Sequence, residues 1–363
     1  VDLFKGLNSS KTGILHLEQL RQSLIDWYHR HKRLLPWRET RDPYRIWLSE
    51  IILQQTRVEQ GRPYYQRFVN EFPTVEALAH APQERVLKLW EGLGYYSRAR
   101  NLHEAAKTVT DKGAFPKTYQ DLLELKGVGD YTASAVASFA YDEAKAVVDG
   151  NVFRVLSRLY GDATPINTGA GKKRFKALAD ALLNPDDPAT HNQAVMELGA
   201  LQCLPKAPKC EDCPWKQQCI AHVEDKVNEF PVKRRKQYNR ERFLNYLMIH
   251  DGEDLYLQKR AEGIWKGLFQ FPLFESAEKL DPKSVLEQQN IYLGELKLDS
   301  FHELPAHKLS HQTLYITILV LTTPGSLPAS ATYLKYSHAA LHALAMPRPL
   351  RKFLEQKQLT LPF

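Results

Sequence analysis

The cysteines constrain this chain most. All four in 363 residues fall between Cys203 and Cys219, spaced Cys203-x6-Cys210-x2-Cys213-x5-Cys219. A disulfide framework in a secreted domain spreads its cysteines along the chain. One cluster in an otherwise cysteine-free sequence points to a metal centre in a reducing compartment. Structural zinc usually takes its ligands as two close doublets. Intervals of six, two and five instead wrap one short loop around one object. Four thiolates suit either Zn or a [4Fe–4S] cluster. Pro205, Lys206, Pro208 and Lys209 stand inside the loop, which therefore presents positive charge.

From Leu17 to about Glu224 the pattern is helical nearly throughout, without a convincing strand. Asp42 and Pro43 make an N-cap and first-turn pair that opens a segment running to about Glu59. Pro73, Pro82, Gly92, Gly94 and Pro116 punctuate the later helices. Residues 151–160 put Val152, Val155, Leu156 and Leu159 on one face, and Gly161 stops them. Around Pro231, the residues Lys226, Lys233, Arg234, Arg235, Lys236, Arg240 and Arg242 mark a basic connector. Beyond it the period changes. Strands over 245–250 and 255–259 flank Asp251-Gly252-Glu253-Asp254, a hairpin signal. Residues 314–321 read as a central strand and 348–356 as a terminal helix.

The longest largely apolar run, 314–321, has strand length and falls far short of the ~20 residues of a membrane span. Residues 1–22 hold no apolar core of signal-peptide type, and 1–13 carry no clear pattern. A formal charge of +7, from 49 Lys+Arg against 42 Asp+Glu, permits nucleic-acid binding without showing it.

Three local patterns carry chemistry. Leu125-Lys126-Gly127-Val128-Gly129-Asp130-Tyr131-Thr132-Ala133 reads as helix, tight turn, helix. Gly127 and Gly129 let the backbone come close to a ligand, and the helix N-terminus that follows favours phosphate. Lys126 adds a cation at the turn. Asp149 follows three apolar residues at the start of a helix, where the dipole favours its ionised form. Glu50 has Ile46 and Leu53 at i−4 and i+3. A carboxylate on an apolar stripe tends to keep its proton, as a general acid requires. One carboxyl poised as an acid and another kept ionised suit cleavage of a glycosidic bond. In duplex DNA the base must first be flipped out.

Several segments together carry a family resemblance: Leu35-Pro36-Trp37-Arg38, the Glu50 helix, Gly92-Leu93-Gly94-Tyr95-Tyr96-Ser97-Arg98, the hairpin, Val148-Asp149-Gly150-Asn151 and the cysteine loop. Over roughly residues 17–363 the chain resembles the MutY-type adenine DNA glycosylases of the helix-hairpin-helix, or endonuclease III, superfamily. Gly263-Ile264-Trp265-Lys266-Gly267-Leu268-Phe269-Gln270-Phe271-Pro272 resembles part of their Nudix-like domain, which recognises 8-oxoguanine.

The fold class implied is multidomain, an all-α glycosylase domain with an iron–sulfur loop followed by an α+β Nudix-like domain. The helical domain would cover 1–225, with a six-helix barrel over about 36–140 and a cluster domain made of about 14–35 and 141–225. A linker over 226–242 and a recognition domain over 243–363 would follow. The resemblance favours the [4Fe–4S] cluster on Cys203, Cys210, Cys213 and Cys219. The implied activity belongs to base excision repair. It is hydrolytic, monofunctional excision of adenine mispaired with 8-oxoguanine or guanine in double-stranded DNA, by a cytoplasmic monomer with no membrane association. A polymerase clamp or another repair protein is left open as a partner.

Carried over position by position, Glu50 would protonate adenine N7 and help with the water step, and Asp149 would stabilise the oxocarbenium ion or trap it covalently, with Tyr131 and Asn151 orienting the pair and shaping the pocket. Arg38 and Gln193 would read the flipped adenine, and Leu35 and Trp37 would line its pocket. Gln55 and Tyr95 would wedge into the duplex, with Thr56 and Leu93 near the opposite base. In the loop His307-Lys308-Leu309-Ser310-His311, Ser310 would bond the altered edge of 8-oxoguanine and His311 would contact phosphate or support the loop. Leu309 departs from the phenylalanine common there. Carbonyls such as those of Leu123 and Val128 could hold a cation at the hairpin.

Three other readings compete. A bifunctional pyrimidine-lesion glycosylase with lyase activity carries a lysine just after the hairpin, where this chain has Tyr131, and lacks the glutamate that Glu50 represents. A non-catalytic iron–sulfur DNA-binding protein needs neither carboxylate, and both are present. A nucleotide hydrolase of Nudix type needs a helix dense in metal-binding glutamates, which the sequence does not supply.

Overall fold

The computed structural model describes residues 11–234, 240–288, 296–309, 311–323 and 333–357. Contacts divide the chain into two units, Val1–Ala79 with Glu104–Arg235, and His80–His103 with Lys236–Phe363. No helix among the described residues is long and apolar enough to cross a membrane.

The first unit is helical. Helix Lys11–His31 buries Leu20, Leu24 and Trp27 against Val152, Val155 and Leu156, and also against Phe175, Leu178, Leu198 and Trp215. Three later helices therefore share one core with the N-terminal one. Trp215, inside the cysteine loop, donates its indole N–H to the Leu20 carbonyl at 2.9 Å. Side chains cap the helices where the sequence offers caps. Asp42 accepts from Tyr44 N–H, Thr118 from Asp121 N–H, Asp149 from Val152 N–H and Asp187 from Thr190 N–H. Each satisfies a backbone donor that the helix itself leaves open.

One segment differs from its sequence reading. The helix opened by Asp42 ends at Leu53, and a second begins at Val58. Between them Gln55 adopts φ 54, and Thr56 N–H bonds back to the Leu53 carbonyl. The second helix packs so tightly on the first that a Cβ on Gly61 would stand 2.6 Å from Leu53 Cδ2. That close approach breaks the segment where composition alone suggests continuity.

In the second unit the sheet is mixed. Its strands are β1 Arg240–His250, β2 Asp254–Lys259, β3 Phe269–Gln270, β4 Leu273–Ser276, β5 Lys297–Glu303, β6 His307–Lys308, β7 Gln312–Thr322 and β8 Leu334–Ser337. The order is β3-β2-β1-β7-β5, with β4 on β1, β6 on β7 and β8 on β2. β1 and β7 run parallel in register from Arg240↔Gln312 to His250↔Thr322. Helices cover both faces of this central pair. Leu244, Tyr246 and Met248 face Leu350, Phe353 and Leu354 of the Arg348–Lys357 helix. Leu247 and Ile249 face Val285 and Leu286 of the Pro282–Gln288 helix. Burial on both faces explains why 314–321 is largely apolar, with Thr317 half-buried and Tyr315 exposed.

The basic connector is also shorter than its composition suggests. β1 already begins at Arg240, and Arg242 makes a two-pronged ion pair with Glu275 on β4 at 2.5 and 2.6 Å. Residues 235–239 lie outside the described residues.

Candidate active site

Glu50 is the charged residue buried along helix Pro43–Leu53. Along Pro43–Leu53, Tyr44, Ile46, Trp47, Leu48, Ile51 and Ile52 are all buried, and Glu50 itself is 6% exposed. Burial pushes its carboxyl up to about 7. A short bond from the Tyr131 hydroxyl to Oε2, 2.6 Å, works against that shift, and the nearby Asp149 adds to it. Tyr131 sits in the first turn of helix Asp130–Tyr141. The hairpin before that turn holds Gly127 at φ 78, a backbone state that a side chain would strain. A Cβ at Gly129 would meet no protein atom, so its backbone is open to a ligand. Lys126 is 60% exposed and stands 3.9 Å from Glu104, a surface pair of little energetic weight.

Asp149 is the N-cap of helix Gly150–Leu159. Its Oδ1 accepts from Val152 N–H at 2.7 Å and its Oδ2 from Asn151 Nδ2 at 2.8 Å. The sequence suggests that the helix end keeps this carboxylate well ionised. Burial opposes that and pushes its pKa up, and the cap bonds offset the rise only in part. Asp149 still accepts more hydrogen bonds than Glu50, so the proton the pair retains belongs on Glu50.

Behind Asp149, Asn151 Oδ1 accepts from Arg154 Nη2 at 2.9 Å. Arg154 also donates to the carbonyls of Gly199 and Cys203, at 2.6 and 2.7 Å. Gly199 permits this approach, since a Cβ there would lie 2.6 Å from Asn151 Cβ. A continuous hydrogen-bonded chain thus joins Asp149 to the first residue of the cysteine loop.

One pocket collects Leu35, Trp37, Arg38, Glu50, Thr56, Tyr131, Asp149, Asn151 and Gln193. Arg38 Nη2 bonds Glu197 at 2.9 Å, while its Nη1 is buried with no hydrogen-bond partner. Gln193 accepts the Tyr28 hydroxyl on Oε1 at 2.9 Å, which leaves its amide N–H groups for a ligand. The pocket therefore offers a proton, a carboxylate and unspent hydrogen-bond donors within apolar walls.

Comparison with known proteins places the chain in a family. A family model described as HhH-GPD superfamily base excision DNA repair protein matches residues 48–181, and a NUDIX domain model matches 245–356. The adenine DNA glycosylase of Buchnera aphidicola subsp. Schizaphis graminum is 33% identical over 92% of this chain and 97% of its own length. That of Buchnera aphidicola subsp. Baizongia pistaciae is 36% identical over 81% of this chain and 84% of its own. The chain belongs to the adenine DNA glycosylase family. Among solved structures, a thermostable thymine-DNA glycosylase matches with TM-score 0.54 and 29% identity, over 58% of this chain and 98% of that one. The N-terminal part of this family member is an all-helical HhH-GPD domain, and its C-terminal part is an α+β NUDIX domain built on the mixed sheet.

Other residues singled out in the sequence lie elsewhere. Gln55 is exposed in the turn beside Thr56 and does not line the pocket. Leu93, Tyr95 and His311 line a second cavity, within the second unit. Ser310 lies outside the described residues.

Sequence reasoning missed Glu197. It is fully buried and takes Arg33 in a two-pronged pair, at 2.9 and 2.7 Å, as well as Arg38. Burial alone would raise its pKa, but the hydrogen bonds from Arg33 and Arg38 hold it at about 2. The available signal was spacing: Gln193 and Glu197 stand at i and i+4 on helix Pro188–Leu201 and so share a face.

Cys203, Cys210, Cys213 and Cys219 form no disulfide and line one small cavity. Among the described residues no set of three or more His, Cys, Asp or Glu side chains is spaced to hold a single metal ion. Arg158, 2% exposed, donates to Cys203 Sγ at 3.3 Å and to the Leu204 carbonyl at 2.7 Å. A guanidinium there would offset the charge of thiolate ligands.

Proposed function

We propose that this chain removes adenine opposite 8-oxoguanine or guanine from duplex DNA by hydrolysing the N-glycosidic bond. The observation that carries the reading is Glu50, buried in one pocket with Asp149, where burial pushes its carboxyl up to about 7. Glu50 would protonate adenine N7 and turn the base into a good leaving group. The sugar then develops oxocarbenium charge, and Asp149 would stabilise it. The unpartnered Nη1 of Arg38 and the amide of Gln193 would hold the base edge. Leu35 and Trp37 would pack on its faces. Tyr131 and Asn151 would fix the two carboxyl groups. Glu197 would hold Arg38 in place.

No lysine is among the residues lining this pocket. A Schiff base needs an amine at the reacting sugar carbon, so the hydrolytic reading is favoured over a lyase.

Gly127, Gly129 and Lys126 would take a backbone phosphate. Gln55 and Tyr95 would enter the duplex, with Thr56, Leu93, Ser310 and His311 near the base opposite adenine. Single-turnover excision should therefore be faster opposite 8-oxoguanine than opposite guanine, and negligible in an ordinary adenine–thymine pair. Ser310→Ala with His311→Ala should narrow the first ratio about tenfold, the scale of a lost hydrogen bond to an oxidised edge. An unchanged ratio would mean that another loop reads the oxidised base.

On the four cysteines we assign a [4Fe–4S] cluster, which would fix the loop so that Lys206 and Lys209 present its positive charge. Purified protein should contain about four irons per chain and absorb broadly in the visible range. Iron-free, zinc-loaded protein with full DNA affinity would overturn the assignment.

A further inference from the structure

The second cavity contains two aromatic residues with left-handed backbones. Tyr95 has φ 48 and Trp265 has φ 61, and both line it. A bulky residue in this conformation is an outlier that costs folding energy and persists only when its surroundings impose it. Three contacts hold the Trp265 loop in place. Gly267 N–H donates to the Arg260 carbonyl at 2.8 Å, Leu268 N–H to the Trp265 carbonyl at 3.0 Å, and Arg100 Nη1 to the Lys266 carbonyl at 2.7 Å.

The indole is half-buried. It packs against the core cluster of the sheet and also walls the cavity, with its ring centre 5.9 Å from that of His307. Leu93 and Tyr95 also line this cavity, as do the cations Lys308 and Arg348. Aromatic walls with cations beside them suit a base and its phosphate.

We propose that Trp265 is the stacking platform for the base opposite the excised adenine. This rests on the reading of the second cavity given above. Stacking uses the π-face that every base has, so Trp265 supplies affinity whether or not the base is oxidised. Hydrogen bonds to the base edge would supply the discrimination. The two contributions separate experimentally.

The test measures Kd for duplexes with a non-cleavable 2′-fluoro adenosine. Its partner is 8-oxoguanine, guanine or a tetrahydrofuran site with no base. Trp265→Met and Trp265→Leu remove the ring and keep apolar bulk, and Trp265→Phe keeps a ring. Both ring-free variants should bind the first two duplexes about tenfold more weakly and the tetrahydrofuran duplex as the wild type does. The 8-oxoguanine-to-guanine ratio should stay the same, and the phenylalanine variant should retain most of the affinity. Circular dichroism melting checks that each variant is folded.

Equal weakening on all three duplexes, or none on any, would overturn the proposal. A wild type indifferent to removal of the opposite base would overturn the reading of the cavity beneath it. A wild type that senses that base, with both ring-free variants sensing it equally, would overturn the role of Trp265 alone.

Discussion

Glu50→Gln should slow single-turnover adenine excision by about 10²–10⁴-fold, the usual worth of a positioned general acid. Glutamine is nearly isosteric and its oxygen can still accept the Tyr131 hydroxyl, so duplex binding should survive. The wild-type rate should itself depend on this proton. Glu50 titrates at about 7, and only its protonated form can donate. Excision should therefore fall as pH rises through about 7 and be flat in the glutamine variant over the same range. Asp149 must be ionised, and burial raises its pKa too. The acidic limb should come from loss of that charge, and the two limbs together report the pair rather than either residue alone.

The same substitution should alter stability, with a definite sign. Glu50 holds its proton to about 7 in the folded state, against an ordinary value of 4.5. Between those values the folded protein keeps a proton that the unfolded chain has released. Stability therefore falls as pH rises across this window and levels off above it. The penalty at alkaline pH is on the order of 3 kcal/mol. Glu50→Gln removes it, so the variant should be more stable than the wild type at pH 8 and similar to it at pH 4. Urea unfolding at the two pH values measures this. An inactive but more stable variant would mark Glu50 as a residue held against the preference of the fold.

Asp149→Asn should nearly abolish excision, by at least about 10³-fold. The reacting sugar would lose the carboxylate that balances its developing charge. Asparagine is a good N-cap and can still accept from Val152 N–H, so helix Gly150–Leu159 should persist. The bond from Asn151 Nδ2 is lost or reversed, since an amide then faces an amide. Gel-shift affinity for the adenine duplex should remain within a few-fold. Fast excision by this variant would remove Asp149 from the chemistry.

What the sequence made legible was local. The apolar neighbours of Glu50 at i−4 and i+3 implied a raised pKa, because one turn of helix sets that environment. Asp42 and Asp149 were readable as caps for the same reason. The cysteine spacing implied one centre, because its loop is short.

What stayed hidden depends on contacts distant in sequence. Glu197 meets Arg33 across 164 residues, and no local pattern announces such a pair. The burial that lifts Asp149 comes from elements outside its own helix, so the cap was legible and the net electrostatic balance was not. Gln55, Tyr95 and Trp265 take left-handed backbones without being glycine, and composition gives no warning of that. The segment His80–His103 lies within the helical part of the sequence yet groups with the C-terminal unit. Its bonds to that unit, such as Lys88 Nζ to the Leu344 carbonyl at 3.2 Å, are invisible to periodicity.

The central claim is hydrolytic adenine excision without strand cleavage. Its most direct test is single-turnover reaction of a duplex with adenine opposite 8-oxoguanine, analysed with and without alkali. The account predicts breaks at the adenine position only after alkali, because the enzyme leaves an intact abasic strand. Breaks without alkali would contradict it, since they require an amine nucleophile such as Lys126 or Lys145, neither of which lines the pocket.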